Sequence, residues 1–203
     1  MLRKATPQGT LTYTYDAADN LASMRSSNSG GVAVDYTYDD RGRLETVLDQ
    51  RLGGAETRYA YDAVGNLKSD LRPNGVRTDY NYDALNRLTD MTTGRAGTTL
   101  AGYAYTRDRT GRRLSSTEHG GRTVTYTYDE LYRLTRESVA GPNPAGNGAV
   151  DYGYDPVGNR LSRISNLPGV PSATSGYDAN DRSTGEAYDA NGNARTTNGR
   201  TYT

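Results

Sequence analysis

The sequence predicts an all-β protein, an antiparallel meander of tandem β-hairpins that forms a curved, spiralling sheet, and three observations predict it. The turn motif Tyr-x-Tyr-Asp-x-x-Gly-(Arg/Asn)-Leu recurs, and the steps between the second tyrosines are 23, 23, 21, 23, 23 and 26 residues, the mark of a repeat array. Residues just before each aspartate alternate between apolar or aromatic and polar, the period of a half-buried strand. Glycine and proline punctuate the chain at both ends of each unit.

The tyrosine pairs are Tyr13 and Tyr15, Tyr36 and Tyr38, Tyr59 and Tyr61, Tyr80 and Tyr82, Tyr103 and Tyr105, Tyr126 and Tyr128, and Tyr152 and Tyr154. Degenerate copies stand at Tyr177 and Tyr188, and Tyr202 starts an incomplete one. The whole chain, 1–203, is one tandem array with clear repeats over 10–165 and degenerate repeats over 166–203.

Each repeat opens on a strand. In Thr123–Tyr128, Val124, Tyr126 and Tyr128 project to one face and Thr123, Thr125 and Thr127 to the other. Val32, Val34, Tyr36 and Tyr38 repeat the pattern, and Thr, Val and Tyr suit a pleated surface. The strand runs into an aspartate that begins a type I turn. Its carboxylate accepts from amides two residues on, and glycine at the fourth position supplies the left-handed conformation. Asp39 with Gly42, Asp62 with Gly65, Asp108 with Gly111, Asp155 with Gly158 and Asp189 with Gly192 fit. Asn86, Asp19 and Asp181 fill the same slot with short polar side chains that tolerate it. Tyr132 after Asp129 breaks the rule and predicts a distorted or different turn there.

After the turn, Leu21, Leu44, Leu67, Leu88, Leu114, Leu134 and Leu161 open the return strands as apolar anchors against the tyrosines. The far hairpin ends close on Gly30-Gly31, Gly53-Gly54, Pro73-Asn74-Gly75, the segment from Gly94 to Gly97, Gly120-Gly121, the segment from Gly141 to Gly148, and that from Pro168 to Pro171. Seven clear repeats therefore make about fourteen strands, a ribbon roughly 65 Å wide and 20 Å tall. A twisted sheet that wide curls. One apolar set per strand is too little for a dense sandwich.

Composition agrees. Of 203 residues, 33% are apolar, none is Phe, Trp or Cys, and mean hydropathy is −0.86. Disorder is the competing expectation for so polar a chain, but 18 tyrosines on period two among β-branched residues argue against it. The formal net charge is zero with arginines spread along the repeats, which disfavours nucleic acid as a partner. No stretch approaches the ~18 apolar residues of a membrane span, so no membrane insertion is expected, and the N-terminus carries no signal peptide.

The segments YTYDDRGRL (36–44), YAYDAVGNL (59–67) and YGYDPVGNRL (152–161) resemble the YD repeat of the Rhs/YD-repeat superfamily. The resemblance covers the chain from about Thr10 to Thr203. It implies a β-sheet shell that encloses a toxic C-terminal or associated polypeptide, as in bacterial polymorphic toxins, insecticidal toxin complexes, wall-associated proteins and teneurins. It also implies a secreted or cell-surface location for the parent protein. Complete members carry an aspartate-bearing self-cleavage motif and then a variable effector. Asp155-Pro156-Val157-Gly158 matches those letters but lies in register with every other turn, and reads as a turn. The chain looks like a segment of a longer shell.

Candidate sites are few. His119, in a His-Gly-Gly turn, is the one histidine, so neither a multi-histidine metal site nor a nucleophilic triad is supported. Asp189-Ala190-Asn191-Gly192-Asn193 has the opening of a calcium loop, but glycine is fourth instead of sixth and Arg200 stands where glutamate is needed; Asp178-Ala179-Asn180 fails with Arg182. Glu45, Glu56, Glu118, Glu130, Glu137 and Glu186 share no context, and the segment from Arg107 to Arg113 reads as a solvated loop. The expectation is a non-enzymatic structural chain with no catalytic, cofactor-binding or metal site and no cofactor. Its partners are a cargo polypeptide and further repeats. The alternative is a carbohydrate- or cell-wall-binding adhesion module that uses tyrosine rows as stacking platforms. Unpaired edges near Thr10 to Tyr15 and after Thr201 predict edge-to-edge self-association of the isolated chain.

Overall fold

The computed structural model describes residues 1–197 and 200–201. The start expected at Tyr202 and the edge after Thr201 lie outside the described residues. The chain divides into two compact units, 1–104 and from residue 105 onward.

The first unit contains β1 (Leu2–Thr6), β2 (Gly9–Tyr15), β3 (Leu21–Ser26), β4 (Ala33–Tyr38), β5 (Leu44–Asp49), β6 (Ala55–Tyr61), β7 (Leu67–Leu71), β8 (Val76–Tyr82), β9 (Leu88–Arg95) and most of β10 (Thr98–Arg107). Each strand pairs antiparallel with the next in sequence. The second unit continues in the same way through β11 (Arg113–Glu118), β12 (Thr123–Tyr128), β13 (Leu134–Ala140), β14 (Gly148–Tyr154), β15 (Arg160–Ser165) and β16 (Ala173–Thr174). A separate two-stranded pair follows, β17 (Thr196–Thr197) with β18 (Arg200–Thr201). The all-β antiparallel meander expected from the repeats is the fold observed. The fourteen strands of the seven repeats are β2 to β15, and β1 and β16 flank them.

The free edge is not where the sequence placed it. Thr10 to Tyr15 lie in β2, which is paired on both sides, and the open edge of the first unit is β1.

Alternation sets the two faces. Val124 is buried and Tyr126 and Tyr128 are half-buried, whereas Thr125 and Thr127 are exposed. Cross-strand register then aligns Tyr13 with Met24, Tyr36 with Val47, Tyr80 with Met91 and Val124 with Val139 on the tyrosine face. The other face carries hydroxyl pairs, Thr14 with Ser23, Thr37 with Thr46 and Thr106 with Ser115, each at 2.7 Å. Among the described residues the buried apolar ones are Val34, Val124, Val139, Ala149 and Val150. Neighbouring hairpins, not a second layer, must therefore supply most of the cohesion.

Every return strand whose register is described starts with a bulge. Thr37 pairs with Thr46 but Tyr38 with Leu44, leaving Glu45 over. The same slip leaves over Ala22, Lys68, Thr89, Thr135 and Leu161. A bulge raises the local right-handed twist and bends the strand. It also corrects the reading of two leucines. Arg113 and Arg160 stand five residues after Asp108 and Asp155, as Leu44 does after Asp39. Leu161 therefore falls at the bulge and Leu114 one place late, and both are about two-fifths exposed instead of anchoring the tyrosines.

Candidate functional site

The repeated turn is the most densely built feature of the molecule, and the aspartate organises it. In the turn at Asp39, the Asp39 amide donates to the Arg43 carbonyl (2.9 Å) and the Gly42 amide to the Asp39 carbonyl (2.9 Å). One carboxylate oxygen accepts from the Arg41 and Arg43 amides at 2.9 and 3.0 Å, and the other from Arg43 Nε at 2.7 Å. Asp16, Asp62, Asp83, Asp108, Asp129, Asp155, Asp178 and Asp189 repeat this scheme, with Asn20, Asn66, Arg87, Arg112, Arg133, Asn159, Arg182 and Asn193 closing it. The closing residue is the Arg or Asn that follows the left-handed position. The sequence displays it in each of these turns, but nothing in the local pattern shows that it closes on the aspartate.

Left-handed backbone occurs at the expected places, Gly42 (φ 74°), Gly65 (106°), Asn86 (58°), Asp19 (62°) and Asp181 (59°) among them. Tyr132 does not distort its turn. Its φ is 65°, its amide donates to the Asp129 carbonyl at 3.0 Å, and Asp129 accepts from the Leu131 and Arg133 amides as elsewhere. The Arg112 guanidinium lies 4.4 Å from the Tyr132 ring and 5.0 Å from that of Tyr128. This stacking offsets the cost of a bulky side chain in a left-handed conformation.

Electrostatics follow from these contacts. The Arg43 side chain, then its amide, hold Asp39 below the usual carboxylate range. Arg182 does the same for Asp178, to about 2. At Asp108 burial pushes upward, but hydrogen bonds from Thr110 and Arg112 prevail and bring it to about 2. These carboxylates are fixed as anions, with their lone pairs directed at the backbone. They are poor proton donors and have little capacity left for a metal.

Successive repeats are stapled together. In five of the seven pairs the second tyrosine donates its hydroxyl to the carbonyl of the residue that opens the previous return strand: Tyr38 to Leu21 (3.0 Å), Tyr61 to Leu44 (2.9 Å), Tyr82 to Leu67 (2.9 Å), Tyr128 to Arg113 (2.8 Å) and Tyr154 to Leu134 (2.7 Å). Burial pushes the phenols of Tyr38, Tyr61, Tyr82 and Tyr128 upward. A second staple joins the turns. Arg43 reaches the Asp62 carbonyl at 3.3 Å and stacks 4.5 Å from the Tyr61 ring, while Arg133 reaches the Asp155 carbonyl at 2.8 Å and stacks 5.0 Å from Tyr154. Where asparagine replaces arginine, Asn66 donates to Asn86 (3.0 Å) and Asn159 to Asp181 (2.8 Å).

Two acidic residues break the apolar row on the tyrosine face. Asp70, opposite Tyr59 and buried, accepts from the Tyr80 hydroxyl at 3.0 Å and pairs with Arg72 at 3.3 Å. Glu137, opposite Tyr126, accepts from Tyr152 at 3.0 Å. Tyr36 faces Val47 at the corresponding position, so no repeat pattern flagged the substitution.

The remaining candidates are scattered. His119 is exposed in the turn between β11 and β12, where Glu118 and Arg122 pair. Asp189 accepts from the Asn191 and Asn193 amides and Asp178 from those of Asn180 and Arg182, so the calcium-like segments are turns. In the segment from Arg107 to Arg113, the ends belong to β10 and β11 and Arg112 is bridged to Asp108. Among the described residues no cluster of His, Asp and Glu has the makings of a metal site. A groove of about 600 Å³ in the first unit is lined by Asp62, Asn66, Lys68, Tyr80, Tyr82 and Asp83 among others, and its two carboxylates are the turn acids already bonded to Asn66 and Arg87. A second, of about 460 Å³, contains Arg58 and Arg77, already paired with Glu56 and Asp79. Among the described residues no helix is long and apolar enough to cross a membrane.

Residues 61–99 and 102–142 each match the RHS Repeat family. No curated protein matches the chain. Among solved structures, it is similar to the crystal structure of TcdB2-TccC3-TEV, at 22% identity and a TM-score of 0.72 over 86% of this chain and 10% of that one. It is also similar to TcdB2-TccC3 without its hypervariable C-terminal region (19%, TM-score 0.73, 92% and 12%). A third is the Photorhabdus luminescens Tc holotoxin pore with a TccC3 mutation (20%, TM-score 0.69, 92% and 12%). The likeness is one of fold, and the chain spans about a tenth of the length of these structures.

Proposed function

We propose that this chain, which carries RHS repeats, is a length of enclosing wall: a structural, non-enzymatic stretch of an Rhs-type shell around a toxic polypeptide, secreted or displayed by the cell that makes it. The observation that carries the reading is the stapling of consecutive repeats. Tyr61 spends its hydroxyl on the previous hairpin, Asp39 its carboxylate on its own turn, and Arg43 its guanidinium on its own turn and the next. Such an array extends by adding units and presents a continuous barrier. The residues that recur from repeat to repeat are thereby accounted for without a substrate.

A carbohydrate-binding module built on the tyrosine rows has less support. Most of the rings are half-buried, and the second tyrosines donate their hydroxyls to carbonyls within the sheet.

The test is to express the full reading frame that contains this chain and treat it with protease under native conditions. Enclosure predicts a further polypeptide that resists cleavage until the repeats are unfolded by denaturant. Cleavage of that polypeptide at the rate of its isolated form removes the reading.

A further inference from the structure

In four repeats the arginine that closes a turn also covers the ring of the next tyrosine. Arg43 pairs with Asp39, its own turn acid, lays its guanidinium over the Tyr61 ring and donates to the Asp62 carbonyl. Arg133 does the same with Asp129, Tyr154 and the Asp155 carbonyl, and Arg112 and Arg182 stack on Tyr128 and Tyr188. Asn20, Asn66 and Asn159 close their turns with a side chain too short for this. Among the described residues no cation lies over the rings of Tyr38, Tyr82 and Tyr177, which follow them.

At Asn66 the uncovered ring borders the groove of about 600 Å³ that the turns at Asp62 and Asp83 both line. Each group that holds the Arg43 guanidinium has its counterpart there. Tyr82 stands for Tyr61, the Asp83 carbonyl for that of Asp62, and the Asp62 carboxylate for that of Asp39. The Asp83 carbonyl accepts from the Asn86 amide at 2.9 Å, as that of Asp62 does from Gly65 at 3.3 Å, which leaves a lone pair on each. Asp62 accepts from the Val64, Gly65 and Asn66 amides and from Asn66 Nδ2, all neutral donors, so its charge, unlike that of Asp39, has no cation against it. Burial and then this charge push the Tyr82 phenol upward; at Tyr61 burial acts the same way, but the Arg43 charge opposes it. Lys68, the one cation of the groove lining, lends its charge to Asp79, whose carboxyl is held low by Arg77 first and Lys68 last.

We propose that this groove binds an arginine side chain of another polypeptide. The incoming guanidinium stacks on Tyr82, donates to the Asp83 carbonyl and balances the Asp62 charge, the place that the chain's own arginine takes in other repeats. An ammonium would satisfy the charge, but only a planar fork stacks and donates at once.

The experiment titrates the full chain with N-acetyl-arginine methylamide and, in parallel, with the corresponding lysine and norleucine compounds, following the Tyr82 ring and the Asn66 side-chain amide by nuclear magnetic resonance. The expected result is a saturable shift of both groups with the arginine compound, roughly fivefold weaker binding of the lysine compound and no response to norleucine. Asn66→Arg supplies the guanidinium from within and should abolish the response, while Arg43→Asn should open an equivalent site at Tyr61. Both changes exchange residues that other turns already use, and circular dichroism checks the sheet; should either variant misfold, the comparison of compounds on the parent chain decides by itself. Equal binding of the arginine compound and either of the others, shifts that map away from Tyr82, a full response in folded Asn66→Arg, or no shift at tens of millimolar overturns the proposal.

Discussion

The hydroxyl of Tyr61 donates to the carbonyl of Leu44 at 2.9 Å, across 17 residues of sequence and from one hairpin to the one before it. Tyr38 and Leu21 stand in the same relation at 3.0 Å. A residue that reads as part of an apolar ladder is therefore also a polar clasp. Tyr61→Phe keeps the ring in place and removes only the donor. We expect a loss of about 0.5–1.5 kcal/mol in thermal or urea unfolding. Tyr61→Phe combined with Tyr154→Phe, whose clasp lies in the second unit, should be additive within about 0.5 kcal/mol.

Arg43 ties three groups at once: the Asp39 carboxylate, the Asp62 carbonyl and the Tyr61 ring. Lysine reproduces the charge but neither the planar fork nor the stack. Arg43→Lys should thus recover only part of the stability lost in Arg43→Ala. A double-mutant cycle between Arg43→Ala and Tyr61→Leu, measured by denaturant unfolding, should give a coupling of about 0.5–1 kcal/mol. Zero coupling would show that the observed stack adds nothing to folding.

What was legible in the sequence was local. Asp62 and Gly65 lie within one turn, so the demands of that turn are written in adjacent letters, and Val124, Tyr126 and Tyr128 show their face by period alone. The inter-repeat clasp was not legible, because Leu44 and Tyr61 meet only once two hairpins are in register. A one-residue change of spacing hides the anchor position in two repeats. In 108–114 and 155–161 an arginine takes the anchor position and displaces leucine, and counting from aspartate instead of from leucine reveals it. Asp70 was opaque for another reason. An isolated acid in a strand looks like solvent-facing polarity until Tyr80 and Arg72 are seen around it.

Tyr132 occupies a backbone conformation, φ 65°, that other turns reserve for Gly, Asn or Asp. The left-handed form costs a bulky residue roughly 1–2 kcal/mol, and its stack on Arg112 returns part of that. Tyr132→Asn is therefore expected to stabilise the chain by up to about 1 kcal/mol. The gain should be larger in an Arg112→Ala background, where there is no stack to lose. A net loss on Tyr132→Asn in both backgrounds would mean that the ring is held by contacts stronger than Arg112.

Acid should dismantle the array from its turns. The side chain of Arg182 heads the contacts that hold Asp178 at about 2, below the 3.8 of an unperturbed carboxyl, and Asp108 reaches about 2 as well. A carboxyl whose folded value is depressed binds its proton more readily in the unfolded chain. Its contribution is whole above about 4 and is lost as pH falls toward 2. Asp39, Asp83 and Asp189 are lowered in the same direction by the same kinds of contact. Unfolding followed by far-ultraviolet circular dichroism should therefore show stability independent of pH from 7 to about 5 and falling steeply below about 4. Asp178→Asn retains an acceptor for the turn amides but carries no charge to titrate. That variant should be less stable at neutral pH and should lose less on acidification than the parent chain. An Asp178→Asn variant with an unchanged acid transition would place the lability in other carboxylates.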